Sequence, residues 1–306
     1  MEKLFMVFAE KNHDIYENTQ ERLLLTPAEH HIPGILTFGH HLSHNAFPPI
    51  GWHYHENSFE FSFLSKGSFT FSTPECDYPF FGGEIFVSYP NEVHGTNNIP
   101  MGVSDLYWFQ VDISDENNFL FLNPKAARTI INKLNTLSSH VIKTEVKKTV
   151  PLMEQAFKAA QSSDDNQLAA CLLQLFLHLI TAASTKGSQE ISADIKQAAD
   201  YIQKHITSDF SLEHLASAVN LSCSQLKQKF RKQIGMPPRD YINRQKIEFS
   251  KHLLLEGKSM TEISMLLNFT SSSYFSTVFK KYTLCTPREY KAKNAFDSST
   301  DVKRLL

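Results

Sequence analysis

Residues able to bind metals and move protons recur at short spacing in the first third of the chain. His53 and His55 flank Tyr54, Glu60 follows, and His94 comes four residues after Pro90. Side chains alternate between the faces of an extended strand, so His53 and His55 share one face. Glu60 can sit on a paired strand, and His94 can complete a set of three imidazoles and a carboxylate. Such a set is capable of holding a transition metal. Trp52, Tyr54 and Trp108 add flat aromatic faces beside these polar groups. Three readings stay open. One is a metal-dependent enzyme that uses all four groups. Another is a small-molecule sensor contacted by Trp52, His53, Tyr54, His55, Glu60, His94 and Trp108. In the third, the histidines are ordinary rim residues. His30-His31, His40-His41 and His44 show no strand or helix spacing and read as solvated loops.

A second chemistry lies in the last third, where one unit of about fifty residues occurs twice. Phe230-Arg231-Lys232 matches Phe279-Lys280-Lys281, and Pro238-Arg239-Asp240-Tyr241 matches Pro287-Arg288-Glu289-Tyr290. Each unit reads as helix, tight turn, helix. Leu212, Leu215, Ala216 and Val219 keep helical spacing. Asn220 suits a left-handed turn position. Ser222 with Gln225, and Ser259 with Glu262, form capping boxes. Thr286, Pro287 and Glu289 mark a further helix start. Leu226 and Phe230 lie on the buried face of the first unit's second helix, Phe275 and Phe279 on that of the second. A helix-turn-helix lays its second helix in the DNA major groove, so that helix needs a short, polar, basic outer face. In the first unit Ser224, Gln225, Lys227, Gln228 and Arg231 supply it, with Lys232 as a phosphate contact. In the second, Ser272, Ser273 and Ser276 are the base-reading candidates, with Lys280 and Lys281 as phosphate contacts. A plain helical bundle that binds another protein is the competing reading.

The span from Ile195 to Lys291 resembles the DNA-binding domain of AraC/XylS-type transcription regulators. Leu215-Ala216, Ser222, Leu226, Phe230, Gly235 and Pro238 carry the likeness in the first half. Ile263-Ser264, Phe269, Phe275, Phe279-Lys280-Lys281 and Thr286-Pro287-Arg288-Glu289-Tyr290 carry it in the second. Asn268 and Leu284 stand where that family has glycine, Lys246 and Lys291 where it has arginine, and Thr277 where a basic residue is common. The histidine constellation looks like the cupin pattern, which continues through Gly67 and Pro90. It departs at Phe47 and Glu92, where glycine is usual, and its last histidine is one residue nearer the proline. These departures are expected to disturb the fourth ligand, so no metal and no cofactor is expected. The resemblance implies a cupin-like sensor without catalysis ahead of the DNA-binding domain. It implies a cytoplasmic homodimer that binds double-stranded DNA sequence-specifically and is expected to be an activator, with RNA polymerase as its partner in that case. A metal-binding cupin enzyme fused to a DNA-binding module is the alternative. A carbohydrate is the first candidate effector, because the three aromatics offer faces for sugar rings.

Charge divides the chain in the same place. Residues 192–291 hold 15 Lys/Arg against 9 Asp/Glu, and residues 1–191 hold 12 against 21, although the whole chain is only at −2. The basic part favours a polyanion and the acidic part repels one. Four scattered cysteines without C-x-x-C fit a reduced compartment and no disulfide framework. Cys223 reads as a plain small residue ahead of a thiol sensor. No signal peptide is evident, and the apolar stretch Ala169 to Ala183 falls short of the roughly 20 residues of a membrane span.

The elements that must position these residues follow from periodicity. Short Phe- and Tyr-rich strands punctuated by Gly and Pro run from Ile32 to Val111 and predict a barrel or sandwich. From Pro124 the period turns helical, and a third helix ending near Ser184 is apolar nearly all round. The expected class is α+β. Residues 1–122 form the cupin-like domain and 123–184 a helical dimerisation segment. Residues 185–191 form a linker, 192–291 an all-α double helix-turn-helix domain, and 292–306 a frayed tail.

Overall fold

A computed structural model describes residues 9–11, 17–184, 192–234 and 236–292. The 185–191 linker, the Lys232 side chain, Gly235 and residues 293–306 of the expected tail lie outside the described residues. The chain forms two compact units: among the described residues the first comprises those up to Ser43 and from Pro49 to Ser184, and the second comprises His44–Pro48 and those from Ser192 on.

In the first unit the strands are β1 (Glu10–Lys11), β2 (Arg22–Leu25), β3 (Ile35–Ser43), β4 (His53–Tyr54) and β5 (Ser58–Lys66). They continue with β6 (Ser68–Ser72), β7 (Asp77–Phe81), β8 (Glu84–Ser88), β9 (Ser104–Asp112) and β10 (Val141–Lys143). Six of them form one antiparallel sheet in the order β10-β8-β5-β9-β3-β2. Strand alternation gives this sheet two different faces. Phe59, Phe61 and Phe63 of β5 and Tyr107, Phe109 and Val111 of β9 join the main apolar core. Glu60, Ser62, Trp108 and Gln110 have the opposite parity and face a second, thinner layer.

That layer is built from the β6–β7 hairpin, from β1 paired with β4, and from two single bridges, His53 to His94 and Ser72 to Gly95. The arrangement is sandwich-like. Of the two expected forms, barrel or sandwich, the closed barrel is not seen: among the described residues β2 and β10 are opposite edges of the large sheet, and no ladder closes it. The reason lies in pairing, since β6 turns back onto β7 instead of extending the ladder of β5. Gly67 makes that departure possible. It sits at φ 99° between β5 and β6, where a Cβ would stand 2.4 Å from the Val103 carbonyl oxygen.

Three helices cover the other face: α1 (Pro124–Leu134), α2 (Val146–Gln161) and α3 (Asp165–Ser184). Asn123 caps α1 by accepting from Ala126 N, ahead of a proline at the first helical position. Ala127, Ile130, Ile131 and Leu134 of α1 and Met153 and Phe157 of α2 are buried at helical spacing, with Val150 half-buried beside them. The helix α3 has 20 residues, enough by length and composition to cross a membrane. Its Leu168, Leu172, Leu175, Phe176 and Leu179 are instead packed in the core shared with the sheet. His40 and His41 are corrected from loop to strand β3. His30 is buried, while His31 and His44 are exposed.

From Ser192 on, the described residues of the second unit form the helices α4 (Ala193–Lys204), α5 (Leu212–Ala218), α6 (Cys223–Ile234), α7 (Pro238–Leu255), α8 (Met260–Leu266) and α9 (Ser272–Thr283). The long α7 packs on α6 as well as on α8 and α9. Its Ile247, Leu253 and Leu254 join Ile263, Leu267, Phe275, Val278 and Phe279 in one core.

Candidate nucleic-acid interface and buried four-residue centre

The two helix-turn-helix units are α5–α6 and α8–α9. Their turns pass through Asn220 at φ 56° and Asn268 at φ 53°, so asparagine fills both left-handed positions. The Asn268 amide also donates to the Thr207 carbonyl at 2.8 Å, a contact that glycine would lack. Each capping box read from the sequence is present. Ser222 Oγ accepts from Gln225 N, and Gln225 Oε1 accepts from Ser222 N at 2.9 Å. Ser259 and Glu262 exchange the same pair of bonds, as do Thr286 and Glu289.

Within α6, Leu226 and Phe230 are fully buried, and Ser224, Gln225, Lys227, Gln228 and Arg231 are exposed on the other side. Gln225 is engaged in its cap, which leaves Ser224, Lys227, Gln228 and Arg231 as the free polar face. In α9, Ser273 and Lys280 are exposed while Ser272, Ser276 and Lys281 are half-buried. Ser276 Oγ and Thr277 Oγ1 donate to carbonyls one turn back. Tyr274, 48% exposed, is the largest outward side chain of α9, and the serine-based reading passed over it. The start of α4 is fastened to α6: Lys229 Nζ donates to Asp194 Oδ2 at 2.5 Å, and Ser192 N donates to Gln233 Oε1 at 2.8 Å.

In the first unit the four residues of the constellation come together. His53 and His94 exchange both backbone bonds, N to O at 2.9 and 2.8 Å, which sets their rings side by side at 4.2 Å between centroids. His55 follows two residues on, on the same face. Glu60 reaches them from β5 in the opposite layer, and its Oε2 lies 2.9 Å from His55 Nε2. All four are buried, and one donor atom from each lies within 4.8 Å of the others. Among the described residues this is the one such cluster found. The departures at Glu92 and in the spacing do not displace His94, contrary to expectation. Asn91 takes the left-handed turn position, φ 65°. The Glu92 carboxylate is held by His140 Nε2 at 2.7 Å and by Tyr89 N at 3.0 Å.

Backbone and side-chain acceptors orient the rings. His53 Nδ1 lies 2.9 Å from the Gly51 carbonyl, and His94 Nδ1 lies 3.0 Å from the Glu92 carbonyl and 2.9 Å from Ser88 Oγ. Carbonyls only accept, so both Nδ1 atoms donate. The lone pairs are then on Nε2, the ligating form of neutral imidazole. His94 Nε2 is buried without a hydrogen-bond partner, as is His55 Nδ1. Burial, then the neighbouring His53, pushes the His94 imidazole well below its ordinary pKa. Burial pushes the Glu60 carboxyl up, but the His55 hydrogen bond and the three imidazoles overcome it and hold Glu60 well below the usual range. Three imidazoles around a carboxylate, with His94 Nε2 left without a partner, form a donor set that fits a divalent transition metal.

The three aromatics do not converge on this centre. Tyr54 has the opposite strand parity to His53 and His55. Trp108 is buried against Gly39, where a Cβ would stand 2.2 Å from its ring, and the Arg22 guanidinium lies 4.8 Å above it. Trp52 lines a shallow cleft with Thr73, Glu75, Asp77 and Asn97. That cleft, about 220 Å³, is below the roughly 300–1,000 Å³ of ligand pockets. Ser62, Ser88 and Gln110 were missed as partners of the centre. Gln110 was open to detection, as a lone amide inside Tyr107-Trp108-Phe109-Gln110-Val111.

Residues 215–293 match a family model described as a helix-turn-helix domain. An uncharacterized HTH-type transcriptional regulator of Staphylococcus aureus (strain MSSA476) is 24% identical over 217 residues, covering 68% of this chain and 28% of its own length. The HTH-type transcriptional activator RhaS of Enterobacter sp. (strain 638) is 27% identical over 148 residues, 48% of this chain and 53% of its own length. A solved transcriptional regulator from Chromobacterium violaceum, with the AraC-type DNA-binding domain, is 27% identical. It covers 36% of this chain and 96% of that one, at a TM-score of 0.33. The matches thus span between 28% and 53% of the length of these curated relatives.

Proposed function

This chain belongs, through its C-terminal domain, to the AraC/XylS family of transcription regulators, and we propose that it controls transcription by binding specific duplex DNA in response to a small molecule held in its N-terminal unit. The observation that carries this reading is the pair of capped helix-turn-helix units on one shared helix, each with a polar, basic outer face. Ser224, Lys227, Gln228 and Arg231 are read as base or near-base contacts, Ser272, Ser273 and Ser276 as weaker ones, and Lys232, Lys280 and Lys281 as phosphate contacts. Gln225 is moved to a capping role. Activation through RNA polymerase is the preferred sign, in keeping with RhaS being named an activator. We read a cytoplasmic homodimer, with the exposed Leu177 of α3, 41% accessible beside the half-buried Leu173 and Ile180, as a candidate contact. A carbohydrate stays the first candidate effector, although Trp52, Tyr54 and Trp108 do not gather around the four-residue centre. Selection of bound fragments from a genomic library, then reporter transcription from them, tests the proposal. Retrieval of no reproducible sequence motif by the full chain would sink it.

A second reading is favoured by the orphaned His94 Nε2. We read His53, His55, Glu60 and His94 as the ligands of a divalent transition metal in the cupin-like unit. Bound there, the cation supplies a positive centre able to orient oxygen atoms of an effector. No catalysis is assigned to it. Elemental analysis of the full chain after metal supplementation is the test, with His53→Ala and Glu60→Ala expected to lose the ion. Less than about a tenth of an equivalent in the unaltered protein rejects this reading.

A further inference from the structure

Strand register places Ser88, Glu60 and Gln110 in one row across β8, β5 and β9. The row is polar within a strongly apolar sheet, and its three members reach the imidazoles above it. Ser88 Oγ meets His94 Nδ1 at 2.9 Å, and Glu60 Oε2 meets His55 Nε2 at 2.9 Å. Gln110, 4% exposed, directs its amide nitrogen to Glu60 Oε2 at 3.3 Å, and 3.4 Å separates it from His55 Nε2. Burying an amide costs free energy unless it is hydrogen-bonded, so an unused glutamine here is disfavoured against an apolar residue.

The two carboxylate oxygens of Glu60 have different neighbours. Oε1 accepts from Ser62 Oγ at 3.2 Å. Oε2 accepts from His55, itself one of the four, and from Gln110. Gln110 is therefore the partner on Oε2 that stands outside the four. The last torsion of a glutamate side chain is broad and holds the carboxylate plane weakly on its own. We propose that Gln110 is a positioning residue of the four-residue centre, fixing the plane of the Glu60 carboxylate and so setting how tightly the centre holds a divalent cation. This inference rests on the metal reading above. Outer partners of metal ligands change affinity by roughly 10–100-fold when removed.

The test is titration of the full-length protein with cobalt(II), read by its visible ligand-field bands and by affinity. Unaltered protein is expected to take up one cobalt per chain. Gln110→Met, close in volume but without the donor, is expected to bind about 10–100-fold more weakly with shifted bands. In a Glu60→Gln background, where three imidazoles and a neutral amide oxygen hold cobalt weakly at raised concentration, the same substitution is expected to make no further difference, because its route is through the carboxylate. If Gln110→Met does not fold, Gln110→Asn carries the test. It keeps the amide but stops one methylene short, and is expected to weaken binding in the same direction. Unchanged affinity and bands in the folded variant overturn the inference, as does an equal loss with and without the Glu60 carboxylate, which would mark a packing role. Unaltered protein that shows no cobalt bands at all overturns the metal reading, and the role of Gln110 with it.

Discussion

Asn268 couples backbone conformation to tertiary contact within one residue. It holds φ 53° in the turn between α8 and α9, and its side chain donates to Thr207. Asn268→Ala is expected to destabilise the C-terminal unit by about 2 kcal/mol. About half comes from left-handed backbone with a Cβ and half from the lost hydrogen bond. Asn268→Gly should restore the first part alone, and denaturant unfolding of both variants checks the split. His41 gives a pH dependence. Its pKa falls to about 4, chiefly through burial and then the Arg22 and His40 charges, from an ordinary value of 6.5. As pH drops below about 6.5 the unfolded chain takes up the proton first, so the contribution of His41 to stability falls from there to about pH 4. His41→Phe should therefore flatten the loss of thermal stability between pH 7 and pH 5. An unaltered slope would count against a buried neutral imidazole.

Among the elements, α6 separates residues that hold the helix from residues that face outward. Gln225→Ala removes half of a capping box, at about 1 kcal/mol of helix stability. It is expected to lower DNA affinity evenly, with the preferred sequence unchanged. Lys227→Ala and Gln228→Ala leave the cap intact and should relax the choice of particular base pairs, at about 1–3 kcal/mol each. Binding to a panel of single-base operator variants distinguishes the two patterns, and altered base preference in Gln225→Ala would reverse the assignment. The division between cap and contact was half legible in the sequence. Ser222 and Gln225 announce a box by spacing, yet the same spacing places Gln225 on the outer face, and only the bond to Ser222 N shows which role the amide takes. The buried centre was legible in the same partial way. Parity pairs His53 with His55, and a glutamate on a following strand can reach them. Register cannot be read from composition, so the row Ser88–Glu60–Gln110 could not be seen. Nor could the single bridge that sets His94 beside His53. The choice between barrel and sandwich stayed open for a related reason: alternating strands specify faces, but which strand closes on which depends on turns such as the one at Gly67. Helix α3 shows the converse, because an apolar circumference demands burial without naming the partner.

At the scale of the whole molecule, charge is the property that acts furthest. Residues 1–191 carry an excess of nine acidic side chains and residues 192–291 an excess of six basic ones. The described part of the second unit buries Phe230 in its first half and has a core around Phe275 and Phe279 in its second, so the fragment 192–292 is expected to fold alone. Its affinity for duplex DNA should fall steeply with salt, because each phosphate contact releases counterions. Lys280→Ala should lower the slope of log K against log salt by about one. In the full chain the acidic unit repels the same polyanion, at a range set by a Debye length of about 10 Å at 0.1 M salt. On a short non-specific duplex, with room for one copy, the fragment should therefore bind more tightly than the full chain at low salt. The gap should close toward high salt, where repulsion is screened. Measuring both dissociation constants by anisotropy across a salt series isolates this electrostatic contribution from dimer avidity and from base readout. A gap that does not change with salt would assign the difference to steric masking of the DNA-binding face, and a full chain that binds more tightly throughout would show that the acidic unit does not oppose binding.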